Sequence, residues 1–466
     1  MNLEITYKTL DPILWSEHHA IPLKNSRLIS KNEKLIDEIG LKLDDETLTQ
    51  FLNGQTSYNN NSFAMAYSGH QFGYFVDNLG DGRALNIGKL GKYNLQTKGS
   101  GATKYSRMGD GRAVLRSSIR EYLLSEAMHG LGIPTSRALA IIGSDSSVYR
   151  EENEECAIVL RAASSWVRFG TFEFTYLQEK PELIKELADY VIDESYPELL
   201  NLENKYDEMY FKIVDNTIEL MAKWQSVGFM HGVMNTDNMS IAGLTIDYGP
   251  YAFMERFQKD FICNHSDKEG RYSFSNQAFI ARWNLLVLAE VLKPIITYNI
   301  CEKYASQFIG RFKERYFTIM ANKIGITYKE KDARLLLDMF TMLEKCKIDY
   351  TPFFYNLSID NINAIRVMSE DIENFNLWHK EYTQRVQEEN KSQQQRLEKM
   401  RKINPKYVLK NYMLQDAISL AKNGDYTLVN DLLKIAQNPY EEHKAYEKYA
   451  FATPKGADGL ICSCSS

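Results

Sequence analysis

Residues 231–249, HGVMNTDNMSIAGLTIDYG, decide how this chain is read. His231 and Asn238 stand seven positions apart, and Asp247 with Gly249 supplies a D-x-G. An amide oxygen and a carboxylate are the oxygen donors that hard divalent cations prefer. The stretch is entered from 207–227, where Met209, Ile213, Ile218, Met221 and Trp224 recur at helical spacing and Gly228 marks the stop. Two strand-like pieces, MSIAG and LTID, are expected to carry Asn238 and Asp247 toward one edge.

Protein kinases place a catalytic Asp two residues after such a His, a metal-binding Asn five further on, and a metal-binding D-x-G beyond. Here the catalytic position is Val233, and the nearby carboxylate, Asp237, sits beside Asn238 rather than opposite it. The metal-type residues are therefore kept while the usual base is missing.

Upstream, RALNIGKL and YNLQTK alternate apolar residues on either side of Gly91-Lys92 and read as a hairpin. RAVLRSSIREYLLSEAMHGLG then places Leu115, Ile119, Tyr122 and Leu123 at helical spacing, with Gly130 as a stop. RALAII, SVYR and CAIVLRAA read as further strands. GDGR occurs at 80–83 and again at 109–112, with Gly99-Ser100-Gly101 between them. Glycines allow a backbone to approach phosphates closely, and arginines pair with phosphate oxygens. Alone, a G-D-G is more often a turn; two copies around K-G-S-G point to phosphate contact. Lys98 closes a strand and Glu121 lies on the next helix, the order in which kinases position a phosphate-binding lysine. Arg161 ends an apolar strand and Arg168 follows shortly after; internal salt bridges and ligand contacts are both open for this pair.

The remainder is less pointed. The first 60 residues read as irregular, 275–345 as helical, 380–402 as a solvated polar helix or linker, and the region after Asn404-Pro405 as helical. At 466 residues the chain exceeds one core. With 44% hydrophobic and 25% charged residues it reads as an ordinary soluble protein. A net charge of −6 argues against nucleic acid as a partner. No apolar stretch is long enough to span a membrane, and the first residues lack a basic segment followed by an apolar run, so a cytoplasmic location is expected. Cys156, Cys263, Cys301 and Cys346 are scattered as core thiols would be, whereas Cys462 and Cys464 lie in a C-terminal GLICSCSS, where a redox role and an unstructured end with no role are both open.

The segments YSGHQFG, LGDGRA, QTKGSG, YSRMGDGRAVLRSSIREYL, LRAASSWVRFGTFEF and HGVMNTDNMSIAGLTIDYGP closely resemble the selenoprotein O (SelO/YdiU) family. The likeness runs from about residue 65 to 260, resumes at NPKYVL and ends in the C-S-C-S-S tail. It implies an α+β, protein-kinase-like (pseudokinase) bilobal fold with an N-terminal extension (1–60) and a nucleotide-binding small lobe (60–165). A mainly helical large lobe (166–380) and a C-terminal helical region with the cysteine tail (381–466) would follow. It implies protein adenylyltransferase activity: ATP bound in a flipped orientation, and AMP transferred to Ser, Thr or Tyr hydroxyls of protein substrates. Carried onto this sequence, Gly80, Gly82, Arg83, Lys98, Asp110, Gly111, Arg161, Arg168 and Asp247 would contact nucleotide. Glu121 would orient Lys98, Asp237 would accept the proton, and Asn238 with Asp247 would hold Mg²⁺ or Mn²⁺. Where eukaryotic members carry selenocysteine, this chain has Cys464. UMP transfer from UTP with Mn²⁺, a conventional phosphotransferase and a non-catalytic ATP-binding scaffold are the alternatives. The absence of an Asp at Val233 weighs against the second of these, and the retained lysine and metal pair weigh against the third.

Overall fold

The computed structural model describes residues 3–454, 456, 457, 459 and 460; the candidate redox residues Cys462 and Cys464 lie outside them. The fold is α+β. Its organising element is an eight-stranded antiparallel sheet. The strands are β1 (Trp15–Glu17), β2 (Arg27–Lys31), β3 (Phe63–Met65), β4 (Ala84–Leu90), β5 (Tyr93–Lys98), β6 (Ala113–Val114), β7 (Arg137–Tyr149) and β8 (Asn153–Ala163). They lie in the order β1-β3-β4-β5-β8-β7-β2, with β6 alongside β8. The expected β4–β5 hairpin is present, with Leu90 opposite Tyr93 across the Gly91-Lys92 turn. RALAII and SVYR, read as two strands, form the single β7, whose register with β8 shifts between Glu155 and Ala157.

Both faces of this sheet are covered, so its central strands read as continuous apolar runs rather than as alternation. Ala157 and Val159 pack into the main core with Ile119 and Tyr122 of helix α1 (Leu115–Gly130). The alternate residues Ile158 and Leu160 join Ile87, Leu95, Leu35 and Phe51 in a second core. That second core is closed by helices Glu33–Ile39 and Asp45–Leu52, which correct the irregular reading of the first 60 residues. Each is capped at its N-terminus, by Asn32 accepting from the Leu35 N–H and by Asp44 accepting from the Thr47 N–H.

Beyond the sheet the chain is helical. Helix α2 (Phe169–Leu177) follows Arg168, and α3 (Lys205–Ser226) buries Met209, Ile213, Met221 and Trp224 before the chain turns at Gly228. Strands Phe229–Met230 and Ala252–Phe253 then pair, closing the neck of the 231–249 loop. MSIAG and LTID do not form strands. Each makes one isolated bridge, Ser240 with Arg168 and Thr245 with Thr135, so neighbouring loops take up their backbone groups. The polar 380–402 segment is two helices, Ile372–Gln387 and Gln393–Arg401, and it is not fully solvated: Arg385 is buried against Asp332 and Glu389. Helix Thr427–Gln437 returns to α1, where a Cβ on Gly130 would lie 2.1 Å from the Ala436 carbonyl oxygen. No helix among the described residues is long and apolar enough to cross a membrane.

Candidate active site

The strand period builds one wall of the site. Asn86 on β4, Gln96 on β5 and Arg161 on β8 stand opposite one another in register, so their side chains share a face. Gln96 donates to the Asn86 Oδ1 at 3.2 Å, Asn86 donates to the Asp81 Oδ2 at 2.9 Å, and the Arg161 guanidinium donates to the Gln96 Oε1. Lys98 lies two residues along from Gln96, on the same face, and meets the Glu121 carboxylate of α1 at 2.7 Å. Asp81, Asn86 and Gln96 are members of this network that sequence reasoning did not select. Asn86 and Gln96 signal themselves only as polar residues at alternate positions of otherwise buried strands, and Asp81 only as the acid of the first GDGR.

All three cations converge on Asp247. Its Oδ1 lies 3.2 Å from Lys98 Nζ and 2.8 Å from Arg161 Nη1, and Arg168 donates to its Oδ2. Arg161 also reaches Glu121 at 2.7 Å. Burial opposes ionisation of Asp247, but Arg168, Lys98 and Arg161 outweigh it and hold the carboxyl well below its ordinary range. Glu121 is likewise lowered, because Lys98 and Arg161 outweigh the cost of burial. Lys98 itself is lowered by burial, which Glu121 and Asp247 offset only in part. Asp247 adopts φ +55°, a left-handed conformation uncommon outside glycine and one that recurs at functional positions.

Asp237 occupies a different environment. It sits in the short turn Thr236–Asn238, whose backbone is tied down by Arg168 donating to the Asp237 carbonyl at 2.8 Å. Its Oδ2 accepts one hydrogen bond, from Gln71 at 3.2 Å, and its Oδ1 is buried without a partner among the described residues. Burial pushes this carboxyl up to about 6, against the hydrogen bond from Gln71 and the charge of Arg168. His231, at the start of the loop, is a brace: it is buried, stacks on Trp224, accepts from the Val233 N–H and bonds the Ile246 carbonyl at 2.9 Å. Asn238 donates through Nδ2 to the Val233 carbonyl at 3.0 Å, which leaves its Oδ1 without a hydrogen-bond partner among the described residues.

These groups surround a cleft of about 760 Å³, within the range that encloses small-molecule ligands. Gly80, Gly82, Arg83, Lys98, Asp110, Gly111, Arg161, Arg168, Asp237, Asn238 and Asp247 all line it. Glu121 stands behind Lys98 rather than on this wall. Arg83 is exposed and has no ion pair among the described residues. Two glycines are required by geometry: Gly80 (φ +142°) faces the Tyr105 ring, 2.3 Å from where a Cβ would stand, and Gly111 (φ +70°) abuts the Gly101 backbone at 2.1 Å. Asp110 is at the rim, paired with Arg150 at 2.7 Å and accepting from the Arg112 N–H at 2.8 Å. The expected core thiols Cys156, Cys263, Cys301 and Cys346 are buried.

Comparison with known proteins gives the class first: the relatives are nucleotidyltransferases, and so is this enzyme. A Myxococcus xanthus (strain DK1622) protein named protein nucleotidyltransferase YdiU is 42% identical over 482 positions, covering 100% of this chain and 99% of the relative. The protein of that name from Aliivibrio salmonicida (strain LFI1238) is 43% identical over 483 positions, with the same coverage. The one from Pseudomonas fluorescens (strain SBW25) is 45% identical over 414 positions, 86% of this chain and 85% of its own. A family model described as "Protein adenylyltransferase SelO" matches residues 1–437, and the chain belongs to the SelO family.

Proposed function

We propose that this chain transfers AMP from ATP to Ser, Thr or Tyr hydroxyls of other proteins, with Asp237 as the base. The observation that carries this reading is the pair of carboxylates in one cleft, half-buried Asp247 locked among three cations and buried Asp237 nearly unpartnered among the described residues. In such pairs the environments divide the roles. We also read the sheet and the helical part as the two lobes of a kinase-like fold, divided near residue 165, with further boundaries near 60 and 380.

Lys98, Arg161 and Arg168 balance the Asp247, Glu121 and Asp81 carboxylates that they touch, and their N–H groups line the wall that would face phosphate oxygens. Arg83 adds a guanidinium on the same wall that has no ion pair among the described residues. The donor set at Asn238 and Asp247, an amide oxygen and a carboxylate, suits Mg²⁺ or Mn²⁺, which would take its other ligands from phosphates and water. Such an ion, when bound, supplies charge neutralisation on the phosphates. Asp237 accepts the proton of the acceptor hydroxyl, whose oxygen forms a bond to the α-phosphorus. The bond from that phosphorus to the bridging oxygen breaks, and pyrophosphate leaves. A base of this kind contributes about 10²–10⁴-fold. Val233 has no group to serve in its place.

The test is incubation with ATP labelled at the α- or at the γ-phosphate, with Mg²⁺ or Mn²⁺ and a protein acceptor. Label entering protein from the α-position alone is expected; transfer of the γ-label contradicts the reading. Parallel reactions with UTP decide the nucleotide.

A further inference from the structure

We infer that Gln71 is a positioning residue for Asp237, held over the 235–237 turn by the hairpin that carries it. The inference rests on the reading of Asp237 as the base and names what fixes its carboxylate. The hairpin pairs Gly69–Gln71 with Tyr74–Val76 and belongs to YSGHQFG, a motif to which the assigned chemistry gives no role.

The hairpin meets the turn residue by residue. The His70 N–H donates to the Thr236 Oγ1 at 2.7 Å, and the Phe72 N–H donates to the Asn235 Oδ1 at 3.3 Å and to the Tyr272 hydroxyl at 3.0 Å. Between these anchors, Gln71 donates to the Asp237 Oδ2 at 3.2 Å. Gly69 closes the other side: a Cβ there would stand 2.7 Å from Oδ1 and 2.9 Å from the Asp237 Cβ. The carboxylate is therefore gripped from both edges. Oδ1 is sealed against the hairpin, which leaves Oδ2, shared with Gln71, as the oxygen that can meet an incoming hydroxyl.

The hairpin is itself rigidly seated. His70 joins the buried Glu173 at 2.6 Å and packs edge-on against Trp283 at 5.2 Å. Phe72 holds φ +52°, a conformation that a bulky side chain keeps only where its surroundings over-determine it. An anchored donor on a rigid element is how a reacting group is preorganised, and a displacement of about 1 Å can cost about 10²-fold in rate.

The experiment uses the full chain with α-labelled ATP and Mg²⁺, with casein and the chain itself as acceptors. Gln71→Met keeps length and removes the donor; Gln71→Glu keeps shape and sets a second carboxylate against Asp237. For Gln71→Met, kcat is expected to fall about tenfold while the KM and Kd for ATP and the melting temperature stay near wild type. Gln71→Glu should fall further. Gly69→Ala, which pushes on Oδ1 from the other side, should lose kcat in the same selective way. A Gln71→Met kcat within twofold of wild type overturns the inference, as does a fall matched by equal loss of ATP affinity. Absence of transfer by the wild-type chain, or undiminished transfer by Asp237→Asn, overturns instead the reading on which it rests.

Discussion

Asp237 is buried and Asp247 half-buried; both line one cleft and lie in one loop, yet their surroundings push their acidity in opposite directions. Around Asp247 the sheet and the Arg168 segment deliver three cations, and the carboxylate is a fixed negative charge. Around Asp237 there is one amide donor and one unpartnered oxygen, and the carboxyl is held near 6 by burial. Burial alone thus does not set a role; the partners do. A carboxylate with three cations serves as a permanent anchor, whereas one left almost bare is available to take a proton.

The comparison breaks most visibly at its anchored end. Asp247→Asn removes the charge that balances Lys98, Arg161 and Arg168, and leaving buried charges uncompensated costs about 3–5 kcal/mol. Metal-dependent ATP binding should be lost and the melting temperature lowered, as read by calorimetric titration with and without Mg²⁺ and by a melting curve. Glu121→Gln is expected to be milder, because Asp247 still holds Lys98 and Arg161. ATP affinity should fall by about tenfold, the effect of losing about 1.4 kcal/mol at the lysine. Unchanged affinity would mean that Glu121 does not position Lys98.

Lys323 offers a control outside the cleft. It is as buried as Lys98 but meets no carboxylate among the described residues, its ammonium lies 4.6 Å from the centre of the Phe354 ring, and burial lowers it to about 7 from 10.5. Between those two values the unfolded chain holds a proton that the folded chain has given up, so stability climbs as pH rises through this window. The penalty is present in full below about 7 and absent above about 10.5. Lys323→Met should therefore raise the melting temperature by a few degrees at pH 6.5 and by much less at pH 10. Equal gains at both pH values would show that packing, not charge, sets the effect.

Much of this is legible in the amino-acid sequence. The β4–β5 hairpin follows from alternation around Gly91-Lys92, α1 from the spacing of Leu115, Ile119 and Tyr122, and the Lys98–Glu121 pair from their order on a strand and the next helix. Most residues of the cleft wall were also named, since glycines, arginines and acids carry chemical signals. What escaped depends on register and tertiary contact. Asn86 and Gln96 are unremarkable singly and become a network with Asp81 of the first GDGR only when three strands align. Gln71 reaches Asp237 across 166 positions of chain, and no local pattern encodes that approach. MSIAG and LTID have strand composition but no strand neighbour, so tertiary context overrode propensity. The N-terminal helices were misread although Asn32 and Asp44 announce them, because their apolar faces make sense only against the sheet's second side.

The division of labour between the two carboxylates is tested most directly by Asp237→Asn, measured for ATP affinity in the presence of Mg²⁺ and for transfer of α-label to protein on the same preparation. The account predicts affinity within about twofold of wild type and transfer reduced by about 10²-fold or more. Transfer surviving within a few-fold, or a loss of affinity as large as the loss of transfer, would contradict it.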